Sequence, residues 1–209
     1  MGKGLISLML ALLCFSSRGQ SSNIFNAMSP GLRQFLVGHP AAAAVLSNVI
    51  ASDFATKPAR LNYFSSTDPY ASRGSYYLTN GLTVILIGQS QWPADEFIAL
   101  YFEVKNSENA PQLQGIFTNV QAGNITREIY GYQMLQLEFY ACKATRDMLA
   151  GLADDPDISA APLYKTHSGC PDTFDDFLAY LDTLYAGHPG PLENFEKQFD
   201  EMQGRRGGI

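Results

Sequence analysis

Two glutamates, Glu103 and Glu138, are the candidate catalytic residues of this 209-residue chain. Carboxyl groups facing one another across a cleft can divide the roles of acid and base, or acid and nucleophile, in glycoside hydrolysis. The separation is then roughly 5 to 10 Å, depending on mechanism. Glu103 lies in the stretch Phe102-Glu103-Val104-Lys105-Asn106. If that stretch is helical, Glu96, Glu103 and Asn106 share one face, because seven- and three-residue steps return to nearly the same side. Glu96 and Asn106 are therefore candidate binding residues beside the pair. Glu138 has Met134, Leu135, Ala141 and Cys142 as helical neighbours, and a carboxylate so placed needs a partner if it is buried. The competing reading is two unrelated carboxylates on solvated helix faces.

Other chemistries find less support. The chain has no Gly-x-Ser-x-Gly elbow and no glycine-rich phosphate loop. A formal charge of −6 and no compact Lys/Arg cluster argue against a general nucleic-acid binder. Asp154, Asp155 and Asp157 lack the twelve-residue spacing of a calcium loop. Three scattered histidines, His39, His167 and His188, are expected in turn, capping or surface roles. No cofactor and no metal site is expected.

The elements that would position the glutamates are legible from turn and capping signals. Tyr76-Tyr77-Leu78-Thr79 and Leu82 to Ile87 flank Asn80-Gly81, a dipeptide suited to the positive φ angles of a type I′ turn, which predicts a β-hairpin over 76–87. The unbroken apolar run of its second strand predicts cover on both faces. Leu61 to Phe64 has strand character, and Ser65 to Gly74 reads as a polar loop. Pro93 opens the helix that carries Glu103, with Asp95 and Glu96 in its first turn. A helix from Pro111 stops at Gly123, and Thr126 caps the longest helix, which runs to about Ala150 and carries Glu138. Earlier, Ser29-Pro30 starts a short helix and His39-Pro40 separates it from a second, while Gln20 to Ala27 is expected to be loose. Later helices begin near Asp172 or Thr173 and at Pro191, and Asp154 to Pro171 is a long acidic connection.

Residues 1–19 read as a signal peptide, with Lys3, an apolar run from Leu5 to Phe15, and small residues before a cleavage point near Gly19. That run is shorter than the roughly twenty residues a membrane-spanning helix needs. The expected organisation is a single domain over 20–203 and a disordered tail over 204–209. After removal of Cys14 with the leader, Cys142 and Cys170 remain, either as a disulfide or as two buried thiols. Export would favour the bond. The tripeptide Asn124-Ile125-Thr126 would be a glycosylation sequon only in a eukaryotic secretory pathway.

A hairpin, a largely buried helix with a glutamate and a later helix with a second glutamate together resemble the zincin fold of metallopeptidases. In that fold a helix carries His-Glu-x-x-His, and in one branch a later helix supplies a glutamate ligand. The resemblance spans about Leu61 to Ala150 and places Phe102 and Asn106 at the histidine positions, Glu103 at the catalytic glutamate and Glu138 at the third-ligand position. Phenylalanine cannot hold zinc and asparagine holds it poorly. The stretches Phe-Glu-Val-Lys-Asn-Ser and Asn-Ile-Thr-Arg-Glu also look similar to exported bacterial proteins of unassigned function that resemble degenerate zincins. The expected fold is therefore α+β, mainly helical, with a small antiparallel sheet. The expected role is non-catalytic binding or structure at the cell envelope, with a protein or envelope component as partner. The alternative is a hydrolase that uses Glu103 and Glu138, either a metal-dependent peptidase with unusual ligands or a glycoside hydrolase.

Overall fold

The structure, a computed structural model, describes residues 21–54, 57–64, 74–79 and 81–204. The expected leader, residue 80 of the turn, residues 65–73 of the polar loop and residues 205–209 of the expected tail lie outside the described residues. Gly204 is the last residue of a helix.

The chain forms an α+β fold, mainly helical, around a three-stranded sheet. In chain order the elements are α1 (Ser21–Ala27), α2 (Pro30–Gly38), α3 (Pro40–Asp53), β1 (Ala59–Phe64), β2 (Gly74–Thr79) and β3 (Leu82–Gly88). Then follow α4 (Pro93–Glu108), α5 (Ala110–Ala122), α6 (Arg127–Ala150), α7 (Pro156–Ser159), α8 (Pro162–Ser168), α9 (Phe174–Leu184) and α10 (Pro191–Gly204). The hairpin forms as expected, with Thr79 opposite Leu82 and Gly81 at φ +76°, a conformation that glycine adopts without steric cost. The sheet is mixed, because β1 pairs in parallel with the far side of β3, Ala59 opposite Thr83. β3 is thus the central strand, which accounts for its run of apolar residues: Val84, Ile85 and Ile87 are all buried.

Local chemistry sets the helix ends. Proline occupies the first turn of α2, α3 and α4, where its missing N–H costs no hydrogen bond. The hydroxyls of Ser29, Thr126 and Thr173 accept from the backbone N–H groups of Leu32, Ile129 and Asp176, and so cap α2, α6 and α9. Gly123 ends α5 in the left-handed conformation.

The expected loose segment before Met28 is instead helical. Ile24 is fully buried in the main core with Leu32, Leu46 and Ile50, and α1 packs on β1. A seven-residue helix of mostly polar composition gives little local signal, and its stability comes from that tertiary contact. The acidic connection after α6 holds two short helices, α7 and α8.

The helix α4 lies on the sheet and is nearly enclosed. Phe97, Ile98, Leu100 and Val104 are fully buried, and α2, α3, α6 and α8 pack around it. A second cluster joins Leu113, Ile116 and Val120 of α5, Tyr130 and Leu137 of α6, and Phe195, Phe199 and Met202 of α10. A third gathers Phe139, Cys142, Cys170 and Phe177. Cys142 and Cys170 are bonded as a disulfide with Cα atoms 5.9 Å apart, tying α6 to the segment that follows α8. This bond is compatible with an oxidising compartment. Among the described residues no single helix is long and apolar enough to cross a membrane.

Candidate functional site

The polar stripe of α4 faces inward along its whole length. Glu96, Glu103 and Asn106 are 3%, 4% and 3% exposed, so none of the three is a solvated surface residue. The stripe nevertheless divides into two environments.

Glu96, near the start of α4, is enclosed by hydrogen-bond donors. The Ser29 hydroxyl donates to Oε2 at 2.6 Å and the Ser90 backbone N–H to Oε1 at 3.2 Å. Tyr63, whose hydroxyl accepts from the Ser29 N–H at 2.9 Å, lies beside them. Glu96 therefore joins the start of α2, the β3–α4 connection and β1. It stands two helical turns from Glu103, roughly 10 Å along the axis, and does not line the same site.

Glu103 meets the second glutamate. Burial, reinforced by the nearby Glu138 charge, holds its carboxyl well above the usual range, against the opposing effect of a hydrogen bond from Asn106. The partly buried Glu138 on α6 accepts from Asn106 Nδ2 at 3.2 Å. Burial raises it to about 7, again opposed by the Asn106 bond. Asn106 is the neutral donor that links both carboxyls, and among the described residues no cation pairs with either. Lys105 pairs with Glu108, while Arg146 reaches Asp147, Asp172 and the Cys170 carbonyl. Two carboxyls in this relation resist ionising together, and the cheapest arrangement leaves a proton on the pair.

Two other parts of the fold lie against the pair, β2 and the end of α9, and α8 packs on the neighbouring Phe102. Gly74, the first residue of β2, lies against Glu103 so closely that a Cβ there would be 2.6 Å from both Cγ and Oε1. Burial drives the Tyr76 phenol strongly upward, and both carboxylates add to the shift. Tyr185, after α9, is raised by burial and then by Glu138. His167 on α8 packs against Phe102 in a tilted contact, with ring centroids 4.8 Å apart, and burial lowers it to about 4. Among the described residues, none hydrogen-bonds its buried Nδ1. The expected capping or surface role for His167 is thus corrected: it packs within the fold, beside the phenylalanine that holds a histidine position in the zincin comparison.

No protein-family model, curated protein or solved structure matches the chain.

Among the described residues, the group close enough to share a metal ion is elsewhere: His39, Asp155 and Asp157. There His39 Nδ1 lies 2.6 Å from Asp155 Oδ2 and Nε2 lies 3.2 Å from Asp157 Oδ2. Each ring nitrogen faces its own carboxylate, an arrangement that suits an imidazole ring bridging two acids better than three ligands converging on one ion. His39 joins the α2–α3 corner to the start of α7, a role that its position before Pro40 does not signal.

Sequence reasoning finds Glu103, Asn106 and Glu138, and the structure brings these three together. It misses Gly74, Tyr76 and Tyr185. A glycine opening a strand and tyrosines at core spacing give no local sign of proximity to a carboxyl pair.

Proposed function

We propose that this protein is an exported, non-catalytic domain on a zincin-like framework, serving as a binding or structural component at the cell envelope. In this reading the Glu103–Asn106–Glu138 group is an internal link between α4 and α6. The observation that carries it is the enclosure of Glu103. Glu103 is only 4% exposed, and its side chain lies so close to Gly74 that a Cβ there would meet Cγ and Oε1 at 2.6 Å. The order of hairpin, α4 and α6 supports the framework, and the disulfide supports export. The partner would be a protein or an envelope component.

A second reading, hydrolysis by the two glutamates, is favoured by one feature. Burial raises the Glu138 carboxyl to about 7, within the range of a general acid or base.

One set of experiments tests both. Expressed in full in secreting cells, the chain is expected to lose its N-terminal segment near Gly19 and to retain the Cys142–Cys170 bond. The purified protein is then expected to leave casein and peptidoglycan intact and to carry no stoichiometric zinc. Hydrolysis that disappears in both Glu103→Gln and Glu138→Gln would establish the second reading instead. Accumulation of an unprocessed, reduced chain in the cytoplasm would remove the export part of the proposal.

A further inference from the structure

The longest helix, α6, is covered by α4, α5, α8, α9 and α10, yet one stripe of it stays open. Ile129, Tyr132 and Tyr140 are 45%, 40% and 52% exposed, with exposed Gln136 between the tyrosines. Steps of three, four and four residues place these four side chains on one helical face. Large aromatic side chains held on a rigid helix contribute area at low entropic cost, and tyrosine is enriched at binding hot spots.

The pattern along this stripe is symmetric about Gln136. Tyr132 and Tyr140 lie four residues to either side. Acidic Glu128 lies eight residues before and basic Lys143 seven residues after. Glu128 makes no ion pair among the described residues. Lys143 donates to the Asp172 backbone carbonyl at 3.2 Å and sits over the Phe139 ring, with no carboxylate partner among the described residues. Two copies of the helix laid antiparallel, with a two-fold axis at Gln136, would bring each Tyr132 against the partner copy's Tyr140. The same operation would bring each Glu128 within reach of the partner copy's Lys143. A two-fold interface requires such self-complementarity of one patch.

We propose that this face of α6 is a homodimer interface in which two copies pair antiparallel about Gln136. The occupant is a second copy because the acid, the base and both tyrosines find complementary positions on the same stripe. The span from Ile129 to Lys143 is about 21 Å at helical rise. A single helix pair of that length buries less than the roughly 1,200 Å² of a standard stable interface. The dimer is therefore reversible and concentration-dependent, with a dissociation constant of about 10 μM or weaker.

Cross-linking and sedimentation test the geometry. In the full chain carrying Cys14→Ser, Gln136→Cys is expected to form a disulfide-linked dimer under mild oxidation, because the axis brings the two copies of that position together. Ile129→Cys is not expected to do so, since its two copies lie about 21 Å apart along the antiparallel pair. In sedimentation equilibrium the wild-type mass is expected to rise toward twice the protomer mass as concentration increases. Lys143→Glu should weaken dimerisation about fivefold or more, and adding Glu128→Lys should restore it. Equal cross-linking at both positions or none at Gln136→Cys would overturn the proposal. So would a protomer mass at all concentrations, or a charge swap that fails to rescue.

Discussion

Glu96 and Glu103 stand on the same face of the same helix, seven residues apart and equally buried, yet they have opposite surroundings. Glu96 receives hydrogen bonds from the Ser29 hydroxyl and the Ser90 backbone. Glu103 faces a second carboxyl and shares with it the amide of Asn106. Burial alone does not distinguish a structural carboxylate from a chemically unusual one. The partner decides: hydrogen-bond donors favour a buried carboxylate, whereas a second acid pushes both groups toward holding a proton.

The largest effect expected from this difference is at Glu96. Glu96→Ala removes two hydrogen bonds to an acidic side chain and leaves the Ser29 O–H without the acceptor it has in the fold, and should cost about 4 kcal/mol in urea unfolding. A loss below that of Glu103→Ala would break the comparison.

The second effect is a pH dependence. Glu138 is raised to about 7 in the folded protein, against about 4.3 in an unfolded chain. Between these values the folded state keeps a proton that the unfolded state has lost, so stability falls as pH rises through this window. It is fully present below about pH 4.3 and gone above the folded value. Glu103, also raised, extends the decline upward. For Glu138 the loss is about 4 kcal/mol at most. Glu138→Gln should flatten the slope in unfolding curves taken from pH 5 to 8, whereas an unchanged slope would place the carboxyls in ordinary solvent.

Gly74→Ala comes third, at about 2 kcal/mol, because the new methyl group would overlap Glu103. Combined with Glu103→Ala, its cost should shrink by at least half, a non-additivity that a double-mutant cycle reads directly. Full additivity would mean that Glu103 does not pack against β2.

The smallest effect concerns another acidic pair. Asp53 is raised to about 7 by burial and by Glu108, with Lys105 and Lys57 opposing the shift. With cations beside it and solvent nearer, Asp53→Asn should stabilise by only about 1 kcal/mol at pH 8 in the same unfolding assay. A larger gain than from Glu138→Gln would show that cations matter less than the comparison holds.

The fold was more legible in the sequence than the site. Asn80-Gly81 between two apolar runs, and prolines and hydroxyl residues at helix starts, are short-range signals that act within a few residues of chain. They placed the hairpin and most helices. The parallel pairing of β1 with β3 depends on contacts across more than twenty residues, and the N-terminal helix depends on Ile24 reaching a core that forms elsewhere. At the site, the apolar neighbours of Glu138 and the face shared by Glu103 and Asn106 were visible as helical spacing. The closeness of Gly74 to Glu103 follows from how β2 lies under α4, which no periodicity encodes. The burial of His167 against Phe102 depends in the same way on the docking of α8.

Side-chain carboxyl titration by ¹³C NMR, in the wild type and in Glu138→Gln, tests the shared site most directly. Glu103 should titrate well above the ordinary range of about 4 to 5, and its midpoint should fall when Glu138 is made neutral. Ordinary midpoints for both glutamates, or a Glu103 midpoint indifferent to Glu138→Gln, would contradict a coupled, desolvated pair.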